Sequence, residues 1–394
     1  MKIVEAISDS NIGGAGILLL TRLAKSDKKR FSYHVLIPKG SALKERLKAL
    51  EGVTVWEIAG GSDHSFSLRA LWRTASLLRY LEPDLINCHG SLSARLAAWL
   101  CRVPCRVCTR HCAYEPKRWQ TVFPWKYCIG FVQGRLSTQM IAVADAAKKN
   151  LTDMGADAAR VRVIINGVRG LRRIGADEAQ AVRIAYGIPE GAVVIGICAR
   201  LEPCKDHDTF LRAAAILSRR SEQYFFLVIG DGSLLNALRE RGKALGIASR
   251  VCFTGFVSDV APLFHLLYVN VNCSVGTETS SLALSEGMSL GIPCVVSDYG
   301  GNPYMVKDGE NGLVYPQKNA ERLAEAIERL CRDEGLYRRL SEGAERRFRE
   351  ELNDEKMTKE TEQLYEELFR QVRCRARGLR SRNRSEEPPR RRSW

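Results

Sequence analysis

Short apolar runs alternate along the chain with stretches whose apolar positions recur at helical spacing. In the first half the runs are IVEAI, YHVLIP, VTVWEI, DLINC, CRVCT, MIAVA and VRVII. They are rich in Val and Ile and read as strands. Between them, residues 15–25, 42–50, 68–80, 91–101 and 145–154 carry the helical period. A polar stretch over residues 167–175 interrupts the pattern, which then begins again. Its strands are VVIGIC, YFFLVIG, RVCFTG, YVNVNC, PCVVS and GLVYP, and its helices cover 207–219, 233–245, 281–290 and 319–331. Two charge-laced amphipathic helices, 336–350 and 354–372, close the pattern with no strand after them. Such repetition builds a parallel sheet with helices on both faces. The pattern therefore predicts an α/β protein of two doubly wound, Rossmann-like domains joined near residue 170. Open parallel sheets bind ligands outside the carboxyl ends of their strands, so two of them facing each other frame an inter-domain cleft.

A chain of 394 residues suits two domains. At 45% hydrophobic and 27% charged it is globular, which excludes a disordered or collagenous chain. No apolar run approaches the ~18 residues of a membrane span. Met1-Lys2 leads straight into the first strand with no signal-peptide pattern, so a soluble cytoplasmic protein is expected. The thirteen cysteines are odd in number and scattered from Cys88 to Cys374, which fits reduced thiols better than a disulfide framework. Cys101, Cys105, Cys108 and Cys112 contain one C-x₂-C pair, on strand-like sequence. They read as small apolar positions rather than a zinc site.

The net charge of +15 is unevenly spread. Nine arginines from Arg373 onward face only Glu386 and Glu387, so the tail holds seven of the fifteen charges. Residues 373–394 are expected to be a basic, disordered tail, either a partner for a polyanion or a solubilising end.

Candidate chemistry lies just after strands. Gly13, Gly14 and Gly16 follow the first strand and open the first helix, either as a plain tight turn or as a turn over an anion or sugar. Arg200 and Lys205 flank a Pro-containing turn after VVIGIC and form a candidate cationic pair for a diphosphate. Asp206 and Asp208 give a D-x-D spacing, but Asp206 reads as the cap of the helix it opens. Glu278 and Glu286 stand with seven residues between them, the first on a loop and the second inside an apolar helix, where a carboxylate needs a partner. Gly300-Gly301-Asn302-Pro303 makes a second glycine turn after PCVVS.

Together these motifs resemble the family 4 retaining glycosyltransferases of GT-B fold. The resemblance covers Lys2 to about Val372. It rests on the GGAG turn, DLINCHGSLSARLAAWLCRVP, ARLEPCKDHDTFLRAA, VIGDGSLLNALRE, FTGFVSDVAPLF, Glu278-x₇-Glu286 and GGNPYMVKDGENGLVYP. It implies an acceptor-side domain over 1–168, a nucleotide-sugar domain over 169–353, and a helix over 354–372 returning to the first domain.

The resemblance also implies roles. Gly14 lies over the donor diphosphate or the acceptor, and His111 contacts the donor sugar. Arg200 and Lys205 neutralise the diphosphate. Glu278 holds sugar hydroxyls, Ser280 and Ser281 lie beside the donor, Glu286 binds the ribose, and Phe256 and Val257 sit against the base. It implies transfer from a nucleotide-sugar, a UDP-sugar, to a hydroxyl in cell-surface glycan or glycolipid assembly. No cofactor and no metal are expected. The chain departs from the family's pattern at Thr279 and Ser281, which replace the Gly and Pro of E-G-x-P, at Tyr304, which replaces a Glu, and at Asn270, which replaces an Asp.

Two other readings stand beside the transferase: a nucleotide-sugar 2-epimerase of the same fold, and a non-catalytic basic scaffold. Nucleic acid is not expected as a partner. Residues 105–135 interleave Arg106, Arg110, Lys117, Arg118, Lys126 and Arg135 with Trp119, Phe123, Trp125, Tyr127 and Phe131. That mixture suits either a headgroup boundary or a helix packed on the core. It makes an anionic membrane surface and a lipid-linked acceptor candidate partners, with the protein peripheral on the inner face.

Overall fold

The structure, a computed structural model, describes residues 1–60, 65–112 and 116–385, without the side chains of 375–385. Its two sheets are parallel throughout. The first comprises β1 (Lys2–Ile7), β2 (Ser32–Pro38), β3 (Val53–Ile58), β4 (Leu85–His89), β5 (Cys105–Arg110), β6 (Gln139–Ala142) and β7 (Val161–Val163), in the order β3-β2-β1-β4-β5-β6-β7. The second comprises β8 (Val193–Cys198), β9 (Tyr224–Ile229), β10 (Val251–Gly255), β11 (Leu267–Asn272), β12 (Cys294–Ser297) and β13 (Gly312–Tyr315), in the order β10-β9-β8-β11-β12-β13. In each sheet the chain reverses its direction of travel once, between β1 and β4 and between β8 and β11. Loops leaving neighbouring strands diverge at such a point, and a ligand crevice opens there.

Both faces of each sheet are covered because both sets of alternating side chains are apolar. In β1, Ile3 and Ile7 join one core while Val4 and Ala6 join the other. In β9, Tyr224, Phe226 and Val228 face one layer, and Phe225, Leu227 and Ile229 the other. Glu5 lies between Ile3 and Ile7 and is fully buried, a charge where the strand pattern calls for a hydrocarbon.

The chain leaves the first sheet near Val168 and comes back beside it at Asn353. The Val168 amide donates to the Leu352 carbonyl at 2.9 Å, and the Asp354 amide to the Val168 carbonyl at 3.1 Å. Gly167 permits this crossing, since a Cβ there would stand 1.9 Å from the Asn353 carbonyl oxygen. The final helix, Asp354–Ser385, inserts Met357, Leu364, Tyr365 and Leu368 into the first sheet's core, beside Leu19 and Leu23 of the Gly14–Lys25 helix.

Residues 373–385, expected to be disordered, instead continue that helix. Arginine is a good helix former and no proline lies between Val372 and Pro388, so none stops the helix at Val372. The rest of the expected tail, 386–394, lies outside the described residues. Cys105 and Cys108 fall on β5, with Cys105 buried and its thiol pushed up to about 11 by desolvation. Among the described residues no three His, Cys, Asp or Glu side chains gather as metal ligands, and no helix is long and apolar enough to cross a membrane.

Candidate active site

A cleft of about 730 Å³ opens at the two switch points. Its first-sheet wall carries Gly14 after β1, His89 at the end of β4, Arg110 and His111 at the end of β5, and Arg95. Arg200, which follows β8, and Glu278 and Ser280, which follow β11, line the other wall. The walls nearly touch at Gly14, where a Cβ would be 4.0 Å from Leu282 Cδ1. The cleft thus brings together Gly14, His111, Arg200, Glu278 and Ser280 of the candidates read from the sequence.

Glu278 is 5% exposed and ionised. Burial alone would raise its carboxyl. The Lys205 ammonium, with hydrogen bonds from Lys205, Ser274 and Asn272, outweighs that and holds it below its ordinary value. The Oε2 atom accepts from Lys205 Nζ at 2.6 Å, Ser274 Oγ at 2.8 Å and Asn272 Nδ2 at 3.2 Å. Behind this shell, Asn302 donates to Ser297 Oγ at 3.0 Å and to Asn272 Oδ1 at 3.4 Å. The second glycine turn presses on the loop itself. Gly300 has φ +60, and a Cβ on Gly301 would lie 1.8 Å from the Thr279 carbonyl oxygen. The GGNP motif is therefore the brace that fixes Glu278.

Lys205 is not the free partner of Arg200 that the sequence suggested. Its ammonium is anchored on Glu278, whereas Arg200 is exposed in the cleft. An ammonium has three donors, so the one given to Glu278 leaves two for a ligand. Asp206 caps the His207–Arg220 helix, its Oδ2 accepting from Thr209 Oγ1 at 2.7 Å, and Asp208 pairs with Arg241 at 2.7 Å. The D-x-D spacing is thereby absorbed by helix capping and a surface ion pair.

The remaining candidates lie around the cleft. The Oγ of Ser280 is buried without a hydrogen-bond partner among the described residues. Ser281 precedes the Leu282–Met288 helix and donates its amide to Met305 Sδ at 3.1 Å. Glu286 sits one turn inside that helix, half-buried, its carboxyl raised by desolvation. Phe256, just past β10, is 77% exposed, and Val257 packs on the second sheet's core. Lys205, Ser281, Glu286, Phe256 and Val257 do not line the cleft volume itself.

Sequence reasoning missed the chain behind His111. The His111 Nε2 lies 2.8 Å from His89 Nδ1, and the His89 Nε2 lies 2.8 Å from Glu5 Oε2. Arg22 pairs with Glu5, and the Tyr365 hydroxyl donates to Glu5 Oε1 at 3.0 Å. The one signal in the sequence was Glu5 itself, a carboxylate inside an apolar strand. Burial, the neighbouring His89 and Arg22 together lower His111 to about 3, so it is neutral near pH 7.

Comparison with known proteins agrees with this fold. Residues 12–169 match the family model "Glycosyltransferase Family 4", and residues 178–347 match "Glycosyl transferases group 1". The putative glycosyltransferase EpsD of Bacillus subtilis is 27% identical over 66% of this chain and 71% of its own length. The Escherichia coli UDP-Gal:alpha-D-GlcNAc-diphosphoundecaprenol alpha-1,3-galactosyltransferase is 26% identical over 68% of this chain and 72% of its own. Anabaena HepE, solved in complex with UDP, superposes with a TM-score of 0.81 over 93% of this chain and 100% of its own, at 21% identity. With GT-B glycosyltransferases as its structural neighbours and family models matching both halves, the chain belongs to the family 4 glycosyltransferases and has the GT-B fold.

Proposed function

We propose that this glycosyltransferase moves a sugar from a UDP-sugar to a hydroxyl of a lipid-linked acceptor, with retention of configuration and without a metal. The observation that carries the reading is Arg200 and Glu278 on one wall of the cleft, opposite His111, with Lys205 anchored behind that wall on Glu278. Breaking a sugar–phosphate bond builds negative charge on the departing diphosphate and cationic character on the sugar. Preorganised cations stabilise the first where it develops. Arg200 is exposed for that role, and Glu278 fixes the ammonium of Lys205. With Asp206 and Asp208 engaged elsewhere, the diphosphate charge falls to these side chains. In this reading His111 faces the donor sugar, Glu278 and Ser280 meet its hydroxyls, Gly14 lets the backbone approach, and Glu286 takes the ribose. The acceptor hydroxyl then attacks from the side the diphosphate leaves.

HepE structures with UDP and with UDP-glucose support the choice of donor, and the E. coli relative's diphosphoundecaprenol substrate supports a lipid-linked acceptor. The surface beside the cleft supports a membrane as well. Trp119, Phe123, Trp125, Tyr127 and Phe131 are all exposed, with Lys117, Arg118 and Arg135 among them. The Trp125–Leu136 helix carries three of these aromatics, and its Gln133 lines the cleft. An acceptor whose tail rests in lipid would enter there, in assembly of a cell-surface glycan or glycolipid.

The test is release of UDP from a panel of nucleotide sugars in excess EDTA, with lipid-linked acceptors supplied. The reading expects UDP release with a UDP-sugar and a product that keeps the donor's anomeric configuration. Silence toward every nucleotide sugar would overturn it. Activity lost in EDTA and restored by Mg²⁺ would overturn its metal-free part.

A further inference from the structure

The chain Glu5–His89–His111 runs from the buried middle of β1 to the wall of the cleft, and its proton order follows from its surroundings. Glu5 is fully buried. Burial would raise its carboxyl, but Arg22, His89 and the Tyr365 hydroxyl outweigh that and lower it, so it is a carboxylate. Tyr365 is raised well above its ordinary value by burial and stays a neutral donor. A carboxylate only accepts, so the His89 Nε2 atom 2.8 Å away carries a proton.

His89 could also be protonated at Nδ1, but charge balance opposes it. The Arg22 guanidinium already neutralises Glu5, and a second buried cation would be unmatched. Asn87 Nδ2 also approaches His89 Nε2, at 3.3 Å, and would favour the other tautomer. The nearer, charged carboxylate prevails. Asn87 gives its shorter hydrogen bond elsewhere, donating to the Tyr365 hydroxyl at 2.8 Å while its Oδ1 accepts from Thr109 at 2.9 Å. A neutral His89 with Nε2 protonated presents a lone pair at Nδ1, and the partner 2.8 Å away, His111 Nε2, must be the donor. What remains on His111 is Nδ1, unprotonated, buried and without a hydrogen-bond partner among the described residues, an orphaned acceptor that a ligand hydroxyl would satisfy.

We infer that Glu5 and His89 are positioning residues that lock His111 as the Nε2–H tautomer, leaving it only a hydrogen-bond acceptor for substrate. The inference rests on the reading that His111 faces the donor sugar, and it specifies that contact. His111 takes a hydrogen bond from a sugar hydroxyl and neither gives one nor carries charge to the leaving group. In metal sites a carboxylate hydrogen-bonded to the far nitrogen of a ligating histidine orients it in the same way, and loss of such a partner typically costs roughly 10–100-fold. The lock also ties the active site to the last helix, since Tyr365 holds Glu5 from there.

Two readouts on the full chain test it. Long-range ¹⁵N–¹H NMR on ¹⁵N-histidine-labelled protein reads the tautomer directly, with His111→Gln identifying the resonances. The expected pattern is pyrrole-like Nε2 and pyridine-like Nδ1 for His111. Kinetics of His89→Leu and His89→Asn read its consequence. The leucine variant should lose roughly 10–100-fold in kcat with donor KM little changed. The asparagine variant, whose Oδ1 can stand where Nδ1 stood, should recover part of that loss. A proton on His111 Nδ1, or full turnover by His89→Leu, would overturn the lock. If the wild type is inert toward all nucleotide sugars, the transferase reading fails, and the tautomer in the same sample still decides the lock.

Discussion

Arg200 and Lys205 stand five positions apart in sequence and have opposite dependence on their surroundings. Arg200 is exposed, whereas Lys205 is the counter-ion of a buried carboxylate. Alanine at either should lower turnover by at least ~100-fold, the scale for removing one transition-state charge stabiliser. Only Lys205→Ala should also unfold more easily, by about 3 kcal/mol, because it leaves Glu278 buried and unpaired. Urea unfolding beside kcat separates the two, and equal stability in both variants would contradict the ion pair. His207 makes a second prediction. It is 1% exposed with neither ring nitrogen hydrogen-bonded among the described residues, and burial, then Lys205, lowers it to about 4. The unfolded chain takes up that proton below pH 6.5 and the native chain does not, so its contribution weakens stability as pH falls from 6.5 toward 4. Between pH 7 and pH 4.5 the loss is about 2 kcal/mol, and His207→Met should remove it. An unchanged difference between the two pH values in the variant would sink this assignment.

At the level of elements, most strands and helices were legible because both covered faces of a parallel sheet write continuous apolar runs. Residues just after strands were legible for the same reason, which is why Gly14, Arg200 and Glu278 meet in one cleft. Partnerships across long sequence gaps were not. Nothing local to Glu5 shows that Tyr365 reaches it, and nothing around Lys205 shows that it belongs first to Glu278. The helix continuing past Val372 was missed because charge density was weighed above helix propensity. The GGNP turn was visible as a motif, but its work, bracing the Glu278 loop, appears only in three dimensions. Gly301→Ala tests that work. Its Cβ would collide with backbone, so the loop must move, at about 1–3 kcal/mol for overpacking. Affinity for UDP should fall at least tenfold. Gly175→Ala, where a Cβ meets nothing within 4 Å, should leave UDP affinity unchanged. A Gly301→Ala protein that binds UDP normally would show that the brace is dispensable.

In the molecule as a whole, a cleft lined by Arg95, Arg110 and Arg200 lies beside an aromatic and basic surface on the first-sheet half. Each cation near an anionic surface contributes about 1 kcal/mol before screening. The full chain should float with anionic liposomes at low salt and not with neutral ones. A chain ended at Val372 keeps Leu364, Tyr365 and Leu368 packed, so it separates the tail's contribution from that of the patch. Flotation that survives this truncation but not Trp125→Ala/Phe131→Ser assigns the surface to the helix, and no flotation of either chain length would leave a soluble acceptor. Calorimetric titration of UDP into the full chain in EDTA decides whether the cleft between the two sheets is a nucleotide-sugar site. Saturable binding at one site per chain is expected, weakened at least tenfold in Arg200→Ala. No heat of binding from UDP or any UDP-sugar, or undiminished binding by Arg200→Ala, would contradict it.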